Sequence, residues 1–183
     1  MIGRDYKFPR DYGIIRPRDL KYIIKSGNRS MDARQMREFY ADSKVRGTSV
    51  IVHRINGVPI AVMQLVFKSK KVDGIPENVD FSERIVSIEY LAVDLSVQHR
   101  HIGVNLLQIA DALADGYDAN KIVLEAVAER EGFYKNNGYE RSGKPFRGPE
   151  WGDLIPMEKA SLRFVYQSLN IDFGRYVCMF LVI

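Results

Sequence analysis

A short polar segment between two apolar stretches carries the residues best placed to do chemistry. The segment Gln98-His99-Arg100-His101-Ile102-Gly103 follows the apolar Tyr90-Leu91-Ala92-Val93 and precedes an amphipathic stretch that begins at Val104. A loop that opens directly into a helix leaves the first backbone N–H groups of the helix without intrahelical partners. Together with the helix dipole, these groups favour an anion, and a pyrophosphate fits such a turn best. The sequence therefore predicts a phosphate-binding turn at this point.

Two motifs in the chain match one known family. The spacing Gln98-x-x-His101-x-Gly103 resembles the coenzyme A pyrophosphate loop of the GNAT superfamily of N-acetyltransferases, with His101 where the first glycine is usual. Main-chain N–H groups hold the phosphates, so His101 keeps the donor, but it accepts a positive φ less readily than glycine. The segment Gly132-Phe133-Tyr134-Lys135-Asn136-Asn137-Gly138-Tyr139 resembles the family's Phe-Tyr-x-x-x-Gly-Phe signature, with Tyr139 replacing the phenylalanine.

The resemblance implies acetyl transfer from acetyl-coenzyme A, as co-substrate, to an amine. Backbone groups of Leu91 and Val93 would pair with the pantetheine arm, and an N–H there would face the thioester oxygen. The residues that the resemblance assigns to the cofactor are Leu91, Ala92, Val93, Gln98, His99, Arg100, His101, Ile102, Gly103 and Val104.

Two side chains are candidates for proton transfer. Tyr134 matches the tyrosine that lies near the cofactor sulfur in many family members, and a neutral phenol with a pKa of about 10 can protonate a thiolate. Glu89, expected on the same strand face as Leu91 and Val93, could accept the amine proton directly or through water, or could form an inter-strand salt bridge instead. Glu125 is a weaker candidate, and water alone would also serve. No metal is expected, because the histidines of the loop have no third ligand nearby.

The surrounding pattern predicts alternating strands and helices. Asn56-Gly57 indicates a hairpin turn, Asp32 with Gln35 a capping box, and Asp19 a helix cap. Predicted strands lie at 13–16, 49–55, 59–68, 83–93, 121–127, 139–143 and 154–159, and predicted helices at 19–26, 33–41, 103–114 and 130–136.

The order strand, loop, helix, strand over residues 83–127 predicts a right-handed βαβ crossover next to an antiparallel hairpin. In the strand before the loop, odd-numbered residues from Ser87 to Val93 should share one face, and Ile88, Tyr90 and Ala92 the other. The fold class predicted is α/β, a mixed, mostly antiparallel sheet with flanking helices. It should have a GNAT-like, V-shaped splay between the strands that end near Val93 and start near Lys121.

The length of the chain favours one domain. Of the 183 residues, 1–159 are expected to form the GNAT-like domain, and 160–183 a helix–strand extension on the same domain or on a second subunit. We expect a homodimer, because the apolar Tyr176 to Ile183 needs covering.

The net charge of +4 suits coenzyme A phosphates, RNA or an acidic protein. A lone cysteine, no visible signal peptide and no membrane-length apolar run predict a cytoplasmic protein.

The function predicted is N-acetylation of a primary amine of a small molecule or protein by direct attack in a ternary complex. The start Leu91-Ala92-Val93-Asp94-x-Ser96 also resembles toxins that acetylate aminoacyl-tRNA, and only then would a nucleic acid be a partner. A non-catalytic acyl-coenzyme A-binding module is the alternative from another class. The acceptor stays open, because acceptor pockets use variable loops such as 69–82 and 144–152.

Overall fold

The computed structural model describes residues 6–26, 30–71 and 82–161. Strands in these ranges are β1 (Tyr12–Ile14), β2 (Ile24–Lys25), β3 (Ser30–Met31), β4 (Thr48–Ile55), β5 (Val58–Lys71), β6 (Ser82–Val93), β7 (Lys121–Val127), β8 (Glu140–Arg141), β9 (Phe146–Gly148) and β10 (Gly152–Ala160). The α-helices are α1 (Ala33–Asp42), α2 (Ile102–Gly116) and α3 (Glu131–Lys135). The predicted extension lies outside the described residues from position 162 onward, as does the 72–81 part of the predicted loop.

One sheet of eight strands organises the molecule. Its order is β1-β4-β5-β6-β7-β10-β8, with β9 paired to β10, while β2 and β3 pair separately. Neighbours in the large sheet are antiparallel except β6 and β7, which are parallel. Parallel neighbours need a long crossover, and α2 supplies it. The mixed, mostly antiparallel fold predicted from the sequence is confirmed.

Local signals place several elements correctly. Asn56 and Gly57 have φ values of 51° and 78°, so both accept the left-handed conformation that a tight hairpin between β4 and β5 needs. Asp32 caps α1, because its carboxylate accepts hydrogen bonds from the N–H groups of Arg34 and Gln35 at 2.9 Å each. Gly138 has a φ of 84° just after α3, as predicted for its C-terminal cap.

The prediction of a helix that starts at Asp19 is wrong. Residues Pro17–Lys21 form a 3₁₀ turn, and the chain then enters β2. Asp19 is fully buried, and its two carboxylate oxygens accept hydrogen bonds from Nε and Nη2 of Arg54 at 2.9 and 2.5 Å. This two-point ion pair attaches the turn to β4. A contact so distant in sequence cannot be predicted from the local pattern.

The parallel pairing of β6 with β7 stops halfway along both strands. Register runs from Ile85 opposite Lys121 to Ile88 opposite Leu124, and no pairing joins 89–93 to 125–127. The two strands therefore separate towards their carboxyl ends, which confirms the predicted V-shaped splay.

A β-bulge in β6 lies at the point of separation. Against β5, Gln64 pairs with Tyr90 and Leu65 with Ile88, so Glu89 has no Cα partner on that strand. One extra residue reverses the alternation of side chains beyond it. The predicted distribution of the β6 side chains between the two faces of the sheet is therefore wrong. Ile88 belongs to the same core cluster as Leu91 and Val93, whereas Tyr90 and Ala92 belong to the other cluster.

The sheet is covered on both faces. Helix α2 packs on one face, called the α2 face here, through its buried residues Ile102, Leu106, Leu107, Ile109, Ala110, Leu113 and Ala114. Helix α1 packs on the opposite face, called the α1 face, through Met36 and Phe39. No helix among the described residues is long and apolar enough to cross a bilayer.

Candidate active site

A cavity of about 980 Å³ lies where β6 and β7 separate. Its lining includes both residues predicted to be catalytic, Glu89 and Tyr134. It also includes most of the residues predicted to hold the cofactor: Leu91, Ala92, Val93, Gln98, His99, His101, Ile102, Gly103 and Val104. Arg100 is the exception, because it is exposed and does not contribute to the lining. The two sequence motifs therefore meet at one cavity.

The turn before α2 uses left-handed backbone at two histidines. His101 is the N-cap residue of α2, with φ 58° and ψ 10°, and His99 has a φ of 65°. Histidine is less suited to this region than glycine, at a cost of about 1–2 kcal/mol per residue. His101 nevertheless adopts the conformation that glycine would take without strain. The substitution at the first motif glycine therefore leaves the path of the loop compatible with a phosphate turn.

The first turn of α2 presents free donors to the cavity. The first hydrogen bond into the helix runs from the N–H of Asn105 to the carbonyl of His101 at 2.9 Å. Within the described part of the chain, the N–H groups of Ile102, Gly103 and Val104 have no acceptor. Unpartnered donors at a helix N-terminus that lines a cavity fit a pyrophosphate group.

Side chains at the edges of the loop fix its shape. Gln98 donates from Nε2 to the carbonyl of Val93 at 3.2 Å, so it spans the loop. The carboxylate of Asp94 accepts from the N–H and hydroxyl of Ser96, at 3.0 and 2.6 Å, and from the N–H of Lys25 at 2.8 Å. Burial opposes ionisation of Asp94, but these hydrogen bonds lower its pKa below the usual value. The carboxylate thus connects β2 to the start of the loop.

Gly103 allows α3 to approach α2 closely. A Cβ atom at this position would lie 3.1 Å from Cζ of Phe133 and 3.9 Å from Cγ2 of Val93. Phe133 in turn contacts Tyr134, with ring centroids 5.1 Å apart. Gly103, the last glycine of the loop motif, is therefore needed at this position, because the ring of Phe133 packs directly against it.

Tyr134 is held as a neutral phenol. Burial raises its pKa to about 12. Its ring packs between Phe133 and Tyr139, whose centroid is 5.8 Å away. A phenol in this state carries its proton throughout the neutral range and can donate it.

A salt bridge network fixes the short helix that carries Tyr134. The carboxylate of Glu131 accepts from Nε and Nη2 of Arg141 at 2.5 and 2.7 Å, and from Lys135 at 2.8 Å. The hydrogen bonds from Arg141, followed by that from Lys135, lower the pKa of Glu131 to about 2. Glu131 therefore stays ionised, and α3 remains attached to β8.

Two carboxylates flank the point where the strands separate. Glu89 forms an ion pair with Lys68 on β5, at 3.0 Å, which is the inter-strand salt bridge considered from the sequence. Burial opposes ionisation, but hydrogen bonds from Ser87 and Lys68 lower the pKa of Glu89. Glu125 follows Leu124, the last residue of β7 that pairs with β6, and it lines the cavity. Its side chain makes no hydrogen bond or ion pair with another described residue.

The cavity lining also includes residues that the sequence did not mark as site residues. Tyr90 and Trp151 contribute to the lining, with ring centroids 6.0 Å apart, and so do Ser142 and Pro156. Trp151 is the only tryptophan in the chain, and it stands at the edge of the 144–152 loop. A lone tryptophan in a segment rich in Gly and Pro was the available signal.

Comparisons with known proteins agree with this geometry. A family model of the acetyltransferase (GNAT) domain matches residues 32–161. A search of curated proteins finds no match.

Among solved structures, Naa20 from Chaetomium thermophilum, in complex with a bisubstrate analogue, has a TM-score of 0.63 and 20% identity over 88% of this chain and 92% of its own. Ard1 from Thermoplasma volcanium has a TM-score of 0.61 and 14% identity, over 82% and 97%. A protein described as a bacterial toxin has a TM-score of 0.60 and 16% identity, over 87% and 92%. At these identities the likeness shows the fold.

Proposed function

Because the chain belongs to the GNAT acetyltransferase family, we propose that it transfers the acetyl group of acetyl-coenzyme A to a primary amine. The acceptor is a small molecule or a protein, and the amine attacks directly within a ternary complex. The observation that carries the proposal is that one cavity brings together three features. These are the unpartnered N–H groups at the start of α2, the neutral phenol of Tyr134 and the gap between β6 and β7.

The proposed cofactor position follows from the groups that lack partners. The N–H groups of residues 102–104 would bind the pyrophosphate. Beyond Ile88, β6 has no pairing on its β7 side, so backbone groups between Leu91 and Val93 are available to the pantetheine arm. The arm would then occupy the position of an added strand.

The proposed chemistry uses the chain's own groups at three points. Acetyl-coenzyme A supplies a thioester carbonyl that an amine can attack. A main-chain N–H near Leu91 or Val93 stabilises charge on the carbonyl oxygen. Tyr134 donates its proton to the departing sulfur. The amine proton passes to a carboxylate at the splay, Glu89 or Glu125, or to water.

Two measurements test this proposal. Coenzyme A should protect the protein against heat by mass action, by about 2.7 kcal/mol at a hundredfold excess over the dissociation constant. Acetyl-coenzyme A consumption should then be screened against amines, peptides and charged tRNA. Protection without turnover on any acceptor would indicate a non-catalytic acyl-coenzyme A-binding module, and no protection at millimolar coenzyme A would contradict the proposal.

Aminoacyl-tRNA is a second candidate acceptor. It is supported by the similarity in fold to the bacterial toxin and by the residues at the start of the loop. In that case expression in a bacterium should block translation, and Tyr134→Phe should relieve the block. Acetylation of amines and peptides but not of charged tRNA would exclude this candidate.

We also propose a cytoplasmic homodimer, in which Tyr176 to Ile183 contributes to the subunit contact. The support is the apolar sequence of that segment, which lies outside the described residues. Light scattering should give a dimer for the full chain, and deletion of 176–183 should give a monomer or an insoluble protein. A soluble full-length monomer at micromolar concentration would contradict the dimer.

A further inference from the structure

We propose that a basic surface on the α1 face binds the phosphodiester backbone of a nucleic acid. The surface, called the basic surface here, consists of six exposed side chains from the 3₁₀ turn, β2 and α1: Arg16, Arg18, Lys21, Lys25, Arg34 and Arg37. Such binding goes beyond the proposed acetyl transfer, because the surface lies outside the cavity and does not require turnover.

Charge is distributed unevenly along the chain. The first 46 residues contain 12 Lys and Arg against 6 Asp and Glu, which gives a net charge of +6. The remaining residues contain 15 against 17, which gives a net charge of −2. A protein whose positive charge is concentrated in one segment is suited to a polyanionic partner.

The fold places this segment across the α1 face of the sheet. Its apolar side chains point inward, and five of them are buried in the core of that face: Ile15, Ile24, Met31, Met36 and Phe39. The 3₁₀ turn packs against α1, and β2 pairs with β3, which leads directly into α1. The six cations are therefore on the outside of neighbouring elements, where a single ligand can contact them.

The cations of the basic surface lack acidic partners. None of the six forms a salt bridge with another residue in the described part of the chain. Several basic side chains on other elements are paired, for example Arg84 with Asp118 and Lys121 with Glu158. Neighbouring cations that are unpaired repel one another, and a bound polyanion removes this repulsion.

The acids on the same elements are mostly engaged elsewhere. Asp19 is buried against Arg54, and Asp32 accepts hydrogen bonds from the first N–H groups of α1. Asp42 accepts from the side chain of Gln64 at 2.9 Å. Of the acids in the turn, β2 and α1, Glu38 is thus the exposed carboxylate that has no partner among the described residues.

The composition of the surface favours a nucleic acid over a lipid membrane. Four of the six cations are arginines, whose guanidinium groups bind phosphate through two parallel hydrogen bonds. A lipid surface requires exposed apolar side chains beside the charges. Within the described residues 15–26 and 30–42, Ile23 is the only large apolar side chain that is exposed. A phosphodiester backbone requires only the cations.

The basic surface ends beside the cavity. Ser26, directly after Lys25, contributes to the cavity lining, and the N–H of Lys25 donates to Asp94 at 2.8 Å. Phe39 of α1 packs against Tyr90, with ring centroids 5.0 Å apart, and Tyr90 also lines the cavity. A nucleic acid bound on the basic surface would therefore lie next to the cavity.

The test titrates a fluorescein-labelled RNA hairpin with the full-length chain at several salt concentrations and follows its anisotropy. Counterion release makes the logarithm of the binding constant fall linearly with the logarithm of the salt concentration, by about 0.9 for each phosphate contact with a duplex. Six contacts predict a slope of about −5. Arg34→Ala/Arg37→Ala should bring the slope closer to zero by about two, and should weaken binding about tenfold or more at about 0.1 M salt.

Arg84→Ala/Lys121→Ala is the matched control, because it changes the net charge by the same amount. Both residues lie near the amino ends of β6 and β7, whereas Lys25 contacts Asp94 beyond the carboxyl end of β6. The control should bind the hairpin like the wild type. Thermal midpoints show whether each variant is folded, and Arg16→Ala/Arg18→Ala provides the same measurement if the helix variant is unstable.

Equal slopes for the wild type and the basic-surface variants would overturn the proposal, as would equal losses in the basic-surface and control variants. Binding to phosphatidylglycerol vesicles without binding to either an RNA or a DNA hairpin would overturn it in favour of a lipid surface. Equal affinity for the two hairpins would support recognition of the backbone alone, and tighter binding of RNA would identify RNA as the partner. Failure of coenzyme A to protect the wild type would contradict only the proposed function.

Discussion

Two parts of the cavity lining are built from different parts of the chain. The first, called the α2 end here, consists of residues 102–104 with their backbone N–H groups, on one continuous loop and helix. The second, called the α1 end, consists of the side chains of Tyr90, Glu125 and Trp151, which come from β6, β7 and the turn before β10. One end is built from a local segment, and the other exists only after the sheet has formed.

This difference predicts how each end responds to substitution. Binding through backbone groups would depend on the path of the chain, and His101 keeps that path open to a phosphate with its φ of 58°. Recognition by side chains depends on charge and ring identity. Substitutions at the α2 end should therefore act by steric clash or by a change of backbone conformation. Those at the α1 end should act by the loss of a charge or of an aromatic ring.

The largest effect is expected for Gly103→Glu. A Cβ atom would lie 3.1 Å from Phe133, and the carboxylate would stand beside the bound phosphates. Thermal protection by millimolar coenzyme A should be abolished. Gly116→Ala on the same helix is the control, because its Cβ meets no atom within 4 Å, and it should keep full protection. Full protection in Gly103→Glu would show that the α2 end does not hold the cofactor.

The next effect concerns the phenol of Tyr134, which lines the cavity. Tyr134→Phe should lower kcat by about 10²–10⁴-fold, because a general acid is lost, while the dissociation constant of coenzyme A stays unchanged. Tyr139→Phe is the control, because Tyr139 does not line the cavity. Steady-state kinetics and coenzyme A titration distinguish the two variants. Equal kcat in Tyr134→Phe and the wild type would mean that Tyr134 only packs.

A smaller and more selective effect is expected at the α1 end. Trp151→Ala removes part of the cavity lining and the contact of that ring with Tyr90. The KM for the acceptor should rise about tenfold, in keeping with the contribution of an aromatic contact, while the coenzyme A dissociation constant is unaffected. Trp151→Phe should restore most of the affinity. A change in coenzyme A affinity in Trp151→Ala would contradict the separation of the two ends.

The smallest effect is expected at Tyr139, which does not line the cavity. Tyr139 is buried, and its hydroxyl has no hydrogen-bond partner among the described residues. Burial, followed by the charge of Asp111, raises its pKa. Tyr139→Phe removes the unsatisfied hydroxyl and keeps the ring, so stability should rise by about 1 kcal/mol, or about 2–4 °C in the thermal midpoint. A clear loss of stability would reveal a partner for the hydroxyl.

Local patterns predicted the elements that depend on neighbouring residues. The N-cap of α1 at Asp32, the hairpin at Asn56-Gly57 and the strand at Lys121–Val127 all require only short-range information. The backbone-built end of the cavity belongs to the same class, because a loop and the helix that follows it are contiguous in sequence.

The features that the sequence did not predict depend on contacts between distant segments. Asp19 was predicted to cap a helix, but its carboxylate forms a buried ion pair with Arg54 instead. Arg54 lies on β4, so the stabilising contact comes from a strand that is distant in sequence. The bulge at Glu89 arises from register with β5 and changes which side chains share a face. Glu125 and Trp151 become neighbours of one cavity only through pairing of β7 with β10 and the turn before it. The acceptor end therefore could not be read from any single segment.

Amide NMR spectra of the full-length chain, recorded while coenzyme A is added, test the cofactor position most directly. We expect the largest shift changes at the N–H groups of Ile102, Gly103 and Val104, with further changes at Leu91 to Val93. Residues of the α1-face core, such as Met36, should change little. Absence of changes at 102–104, or changes concentrated on the α1 face, would contradict the proposed position of the cofactor.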